Sequence, residues 1–261
     1  MNELSLFSGV GGGLLGSRLL EWRTVCAVEM DPYAGRVLAG RQEGTEGLGF
    51  FPIWDDVRTF DGRAWRSKVD IIAAGYPCTP FSLAGRGLAE EDPRHLWPDV
   101  RRVISEVCPR LVVLENVEAH IKRGLDRVLC ALDELGFHAE WGVYGATQAG
   151  APHRRNRVFV LAYTSCVEMG NADCEGPQGW NKPEPEGSYQ RTPWPPGPEG
   201  DWSDVPKELW PATESELCVL ADGLRSRVDE LRALGNAVCP QQAALALTDL
   251  ATRIQRHHYG I

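Results

Sequence analysis

Several common signals are missing from this chain of 261 residues, and each absence removes a class of protein. No two of its eight cysteines form a CxxC pair, Cys166 and Cys174 being the nearest, and no His-x-x-x-His accompanies them. A zinc site, or any metal site, is therefore not expected. The opening residues Met1-Asn2-Glu3 are not basic, and Glu21 and Arg23 break the apolar residues that follow, so neither a secretory signal nor a membrane span is predicted. That points to a cytoplasmic protein whose cysteines stay reduced. No internal repeat is present. An overall positive charge is missing as well: the net charge is −9, which at first sight disfavours a nucleic-acid partner.

The charge is unevenly spread. Residues 165–224 hold twelve Asp/Glu and three Lys/Arg, so this one segment carries the entire −9 and the remaining 24 acids and 24 bases balance. Arginines cluster outside it, at Arg101-Arg102, at Arg154-Arg155 with Arg157, and at Arg225 with Arg227. The same segment holds nine of the 18 prolines and four of the nine tryptophans (Trp180, Trp194, Trp202, Trp210). It shows no sustained helical or strand period, yet it is too rich in tryptophan for plain disorder. It reads as a small loop-rich insert in a chain whose 43% hydrophobic and 24% charged residues are those of an ordinary globular protein.

Elsewhere strands and helices alternate. Glu3 to Phe7 reads as a short strand running into Ser8-Gly9-Val10-Gly11-Gly12-Gly13 and a helix from Leu14 to Trp22. A strand, glycine turn and helix bring backbone N–H groups and a helix N-terminus close to a polar cofactor, although a plain tight turn also explains the glycines. A second strand, Thr24 to Val28, ends in Glu29, and Asp31-Pro32 opens another helix. An acid about 20 residues past the glycines is placed to accept hydrogen bonds from ribose hydroxyls, while either acid could instead cap the helix. Ile53 to Val57 could end a third strand, with Asp56 near an adenine amino group. Val69 to Ala74 is a buried strand that leads into Gly75-Tyr76-Pro77-Cys78-Thr79-Pro80-Phe81-Ser82. Two prolines stiffen the loop that presents Cys78, just past a strand end, where open α/β sheets bind ligands. After the amphipathic run Leu96 to Val107 comes a near-continuous apolar strand, Leu111 to Leu114, ending in Glu115-Asn116-Val117. A helix (Leu125 to Leu135), an extended segment (His138 to Tyr144) and Ala151-Pro152-His153-Arg154-Arg155-Asn156-Arg157 lead into a strand, Val158 to Ala162. Val228 to Leu234, Gly235-Asn236-Ala237-Val238-Cys239-Pro240 and a final helix from Gln241 to Ile254 complete the pattern.

In this order the stretches resemble the cytosine-C5 DNA methyltransferases, in the bacterial or phage form with a short target-recognition region. Phe7-Ser8-Gly9-Val10-Gly11-Gly12 is similar to the family's first cofactor motif, Glu29 stands where its ribose-binding acid belongs, and Asp56-Val57 where its adenine-binding pair belongs. Pro77-Cys78-Thr79-Pro80-Phe81-Ser82 resembles the nucleophile motif, Glu115-Asn116-Val117 the catalytic acid motif, and His153 to Arg157 the Gln-x-Arg-x-Arg motif. Gly235-Asn236-Ala237-Val238 with Pro240 resembles the closing motif. The chain departs from the family pattern at Ser5, usually Asp, and at Thr79 and His153, both commonly Gln.

The resemblance implies an α/β, Rossmann-like S-adenosylmethionine-dependent methyltransferase fold, with a mostly parallel sheet, helices on both faces and a small loop-rich insert. It divides the chain into a catalytic and cofactor-binding domain, 1–163 plus 228–261, and a small target-recognition domain, 164–227. It implies Cys78, Glu115, Arg155 and Arg157 as catalytic residues. Phe7, Gly9, Val10, Gly11, Gly12, Glu29, Met30, Asp56, Val57, Pro77, Asn236 and Val238 would bind S-adenosylmethionine or its product S-adenosylhomocysteine, and Asn116, Ser82 and Arg86 the substrate. The expected partner is double-stranded DNA, with the phosphates met by Arg86, Arg94, Arg101, Arg102, Arg225 and Arg227. A monomer in a bacterial cell or phage-infected host, with a cognate restriction endonuclease as a candidate partner, completes the expectation. Its alternatives are an RNA (tRNA) cytosine-C5 methyltransferase and a non-catalytic DNA-binding homologue.

Overall fold

The computed structural model describes residues 1–43, 47–77, 96–151, 153–164 and 237–259. The helix expected at Val228 to Leu234 and most of the insert lie outside these residues. Seven strands form one sheet: β1 (Asn2–Leu6), β2 (Arg23–Val28), β3 (Ile53–Trp54), β4 (Ile71–Ala74), β5 (Leu111–Val117), β6 (Phe137–Gly145) and β7 (Asn156–Thr164). Their order is β3-β2-β1-β4-β5-β7-β6. The helices are α1 (Gly12–Leu19), α2 (Pro32–Glu43), α3 (Trp97–Val107), α4 (Leu125–Glu134) and α5 (Pro240–Tyr259), with single 3-10 turns at Gly62–Trp65, Glu118–Lys122 and Ala146–Ala149.

Strands β1 to β5 are mutually parallel, whereas β7 runs antiparallel between β5 and β6. The strand order turns at β1, which pairs β2 on one side and β4 on the other. Such a switch point opens a crevice at the carboxyl ends of the strands. Alternation along the strands covers both faces. Leu4, Leu6, Ile72, Val112, Leu114, Val158 and Val160 pack with Val100, Val103, Ile104 and Val107 of α3 and with Leu125, Val128 and Leu132 of α4. The interleaved Ile71, Leu111, Val113, Phe159 and Leu161 pack with Ala246, Leu247 and Leu250 of α5. The α3 residues recur at the i, i+3, i+4, i+7 spacing of a buried helical stripe.

Helices α1 and α5 approach closely because α1 has glycines at the contact. A Cβ on Gly12 would overlap the carbonyl oxygen of Val238, and one on Gly16 would lie 2.9 Å from Pro240 O and 3.0 Å from the Ala243 Cβ. Several boundaries differ from the sequence expectation. Glu115 lies inside β5 rather than past its end, because β7 continues the ladder to Val117. Thr164, assigned above to the insert, is the last residue of β7 and pairs Phe137.

Candidate active site

The turn after β1 is held in an uncommon backbone shape. Phe7, Gly9 and Gly11 all have left-handed φ, at 58°, 54° and 89°. For a bulky residue such as Phe7 this is strained, and strain of this kind gathers at ligand sites. The turn is braced from β2: Ser8 N–H donates to Val28 O at 3.1 Å, and Gly9 N–H donates to Glu29 Oε2 at 2.6 Å. The second oxygen of Glu29 accepts from Asp31 N–H at 2.8 Å. Asp31 caps α2, its Oδ1 accepting from Tyr33 and Ala34 N–H. The carboxylate at the second strand end thus fixes the glycine turn in place.

A cavity enclosing about 80 Å³ opens below this turn. Of the residues expected at the cofactor, Phe7, Gly9, Val10, Gly12 and Val238 line it, together with Glu115. Gly11, Glu29, Met30, Asp56, Val57 and Pro77 do not, for separate reasons. A Cβ on Gly11 would meet Leu38 Cδ1 at 2.9 Å, so this glycine faces α2. Asp56 is clasped by Arg58, whose Nε and Nη2 donate to its carboxylate at 3.0 and 2.7 Å and hold it below the usual carboxylate range. Met30 is 61% exposed, beside the Arg58 guanidinium, whereas Val57 is buried in the core. Pro77 is exposed. Cys78, Ser82, Arg86 and Asn236 lie outside the described residues.

The opposite wall carries the acid. Arg157 Nε donates to Glu115 Oε1 at 2.8 Å, with both side chains about 15% exposed (15% and 14%). Val117 stands opposite Arg157 in the ladder, so this contact is the diagonal one between neighbouring antiparallel strands. Burial pushes the Glu115 carboxyl upward, against the opposing pull of Arg157 and then Arg155. Gly75, at the end of β4, leaves the room: a Cβ there would lie 3.3 Å from Glu115 Oε2. Arg155 is turned elsewhere, donating to Ala237 O at 2.6 Å and so joining the basic segment to the closing motif. Gln242 of α5 reinforces this junction by donating to Tyr144 O and Arg155 O, both at 2.7 Å. His153 is exposed.

The stem of the Cys78 loop is fixed from the same strand. Asn116 is buried, and its Nδ2 donates to Tyr76 O at 3.1 Å. The Tyr76 hydroxyl is 2.9 Å from His120 Nε2 in a buried contact. Burial lowers the affinity of His120 for a proton, which favours the neutral ring in that bond. Asn116 therefore acts in this structure as a brace for the loop stem. Two arginines expected at phosphates also have internal partners. Arg102 reaches Val57 O at 2.7 Å, Phe60 O at 2.8 Å and Glu106 at 3.0 Å, and Arg101 pairs Glu134 at 2.8 Å. Sequence reasoning missed Glu3, Ser17, Ala73 and Phe159 in the cavity lining; only the alternation of Glu3 with Ser5 along β1 signals the first of them.

The family profile described as C-5 cytosine-specific DNA methylase matches residues 1–192, and the chain belongs to that family. It is 29% identical over 188 residues to the type II methyltransferase M.NgoMIV of Neisseria gonorrhoeae, covering 67% of this chain and 57% of that protein. To M.CviJI of Paramecium bursaria Chlorella virus IL3A it is 34% identical over 163 residues, covering 61% and 42%. The chain thus spans about half the length of the curated relatives it matches. Among solved structures, the S. pombe Dnmt2 methyltransferase superposes with a TM-score of 0.52 at 21% identity, over 63% of this chain and 51% of that one. The Entamoeba histolytica methyltransferase EhMeth gives 0.53 at 14% identity, over 63% and 53%. These two likenesses bear on the fold, a mostly parallel sheet with helices on both faces.

Proposed function

We propose that the protein transfers a methyl group from S-adenosylmethionine to C5 of cytosine in duplex DNA. The observation that carries this reading is the buried Glu115–Arg157 pair, set in the wall of a cavity whose other wall is the glycine turn. The residues present fit the cofactor: a Cβ on Gly9 or Gly13 would meet nothing within 4 Å, so bare backbone borders open space there. Phe7, Gly9, Val10, Gly12 and Val238 would hold it. When bound, S-adenosylmethionine supplies an electrophilic methyl group.

Cytosine C5 is a poor nucleophile until a thiolate adds to C6, and that role falls to Cys78. The Cys78 sulfur forms a bond to C6 and the ring electrons shift toward N3, where a proton must be supplied or held. Glu115, its carboxyl pushed upward by burial and oriented by Arg157, would give a hydrogen to N3 and accept one from the exocyclic amine. After methyl transfer the C5 proton leaves to a base, the C6–S bond breaks to expel the thiolate, and N3 returns its hydrogen to Glu115. None of these contacts fits inside a stacked duplex, so the base is flipped out at a cost of a few kcal/mol. Segment 164–227 would read the DNA, in a cytoplasmic monomer for which a cognate restriction endonuclease is a candidate partner.

Incubation of the full chain with labelled S-adenosylmethionine and either duplex DNA or tRNA, followed by nucleoside analysis, tests this. 5-Methylcytosine in DNA is expected; its appearance only in tRNA would move the substrate to RNA, and its absence from both would refute the reading. Cys78→Ala is expected to abolish covalent trapping on 5-fluorocytosine DNA.

A further inference from the structure

The cavity ends on a carboxyl group that the chemistry above does not use. Glu3 is fully buried on β1 and lines the same space as Gly9, Gly12 and Glu115. The two-residue period of β1 puts Glu3 and Ser5 on one face, so the carboxyl stands one pleat below Ser5. Its oxygens accept from Ser17 Oγ of α1 at 2.8 Å and from Thr24 Oγ1 of β2 at 3.3 Å. Of the other residues that line the cavity, Glu115 is titratable and Arg157 already engages it; Ser5 and Ser8 bring hydroxyls, and the α5 residues Ala243 and Leu247 are apolar. Among the described residues no cation is paired with Glu3. A buried carboxylate without a counter-ion is costly, and a well-packed apolar residue would hold α1 on the sheet more cheaply. What such a group suits is a ligand that brings its own positive charge.

We propose that Glu3 is a specificity-determining residue of the cofactor cavity, whose carboxylate favours the cationic methyl donor over the neutral thioether product. This rests on the methyltransferase reading above. Donor and product carry the same amino acid and nucleoside groups and differ by the methyl and the unit positive charge on sulfur, which is lost with it. A negative potential at the cavity floor therefore strengthens donor binding and leaves product binding nearly unchanged, which helps the spent cofactor to leave. Burial raises the Glu3 carboxyl to about 7. Below that pH the group is neutral and the preference fades; above it the group is ionised and the preference is full.

The test is calorimetric titration of the full chain with S-adenosylmethionine and with S-adenosylhomocysteine between pH 5.5 and 8.5, which needs no turnover. The α-amino group common to both ligands cancels in the ratio of their affinities. In the wild type that ratio is expected to rise roughly tenfold through neutral pH, the order expected of one partly screened charge pair at an effective dielectric near 20. In Glu3→Gln it should be low and flat. Ser17→Ala removes a hydrogen bond that holds the Glu3 pKa down, so the rise should move to higher pH; this variant serves if Glu3→Gln does not fold. A Glu3→Gln ratio equal to wild type at pH 8, equal weakening of both ligands, or an unmoved midpoint in Ser17→Ala would overturn the proposal. Binding of neither ligand by the wild type would instead sink the methyltransferase reading itself.

Discussion

Glu3 and Glu115 line one cavity, the first fully and the second largely buried, yet their surroundings differ in a further feature. Glu115 has an arginine at 2.8 Å, set on the neighbouring strand. Glu3 has two hydroxyl donors and no cation among the described residues. Burial raises both carboxyl groups, but for Glu115 the arginines work against the rise. In the proposed chemistry Glu115 is the group that would exchange a hydrogen with a ring edge while Arg157 keeps it oriented. The other is left to answer to charge that arrives from outside. The partner supplied by the next strand makes the difference between them.

The largest effect that would sharpen this contrast is expected at Glu115. Glu115→Gln keeps the shape but cannot deliver the proton, and methyl transfer measured by 5-methylcytosine formation should fall by about a hundred- to ten-thousandfold. Gly12→Ala attacks the Glu3 side by forcing a Cβ into Val238 O, and urea unfolding should show a loss of about 3 kcal/mol. Glu3→Gln should act in the opposite direction above neutral pH. The folded-state pKa of about 7 lies above the ordinary 4.5, so the folded protein binds the proton more tightly and stability declines as pH rises from 4.5 to 7. The variant removes that decline, and a gain of about 3 kcal/mol at pH 8, nearly vanishing at pH 4.5, is expected in denaturant titrations. The smallest effect belongs to Tyr76→Phe, which strips the hydroxyl from His120 and should cost about 1 kcal/mol of stability. If Glu3→Gln leaves the pH profile of stability unchanged, the two carboxyl groups are not distinct in the way described.

Much of this arrangement can be read from residues alone. The apolar runs of β1, β2, β4 and β5, the helix stripes, and the glycine turn that follows β1 are legible in local patterns. Strand direction does not: a period of two looks the same in either sense, so nothing in Val158 to Ala162 announces that β7 enters antiparallel between β5 and β6. The fates of single charged side chains are hidden for a similar reason. Arg102 looks like any basic residue on an amphipathic helix, and only the fold brings Val57 O and Phe60 O within its reach. Glu29 and Asp56 carry the expected chemistry, but backbone N–H groups and Arg58 occupy them. Glu3 reads as a polar strand end until α1 closes over it.

The contact of Gly12 and Gly16 with Val238, Pro240 and Ala243 means that the first and last motifs are neighbours across the whole intervening chain. Closing so long a loop has an entropy that grows only with the logarithm of its length, so doubling the stretch between β7 and α5 would cost about 0.6 kcal/mol. The stability of the catalytic body is therefore nearly indifferent to how long that stretch is. A lineage could lengthen, shorten or exchange it while the packed sheet and its helices stay the same.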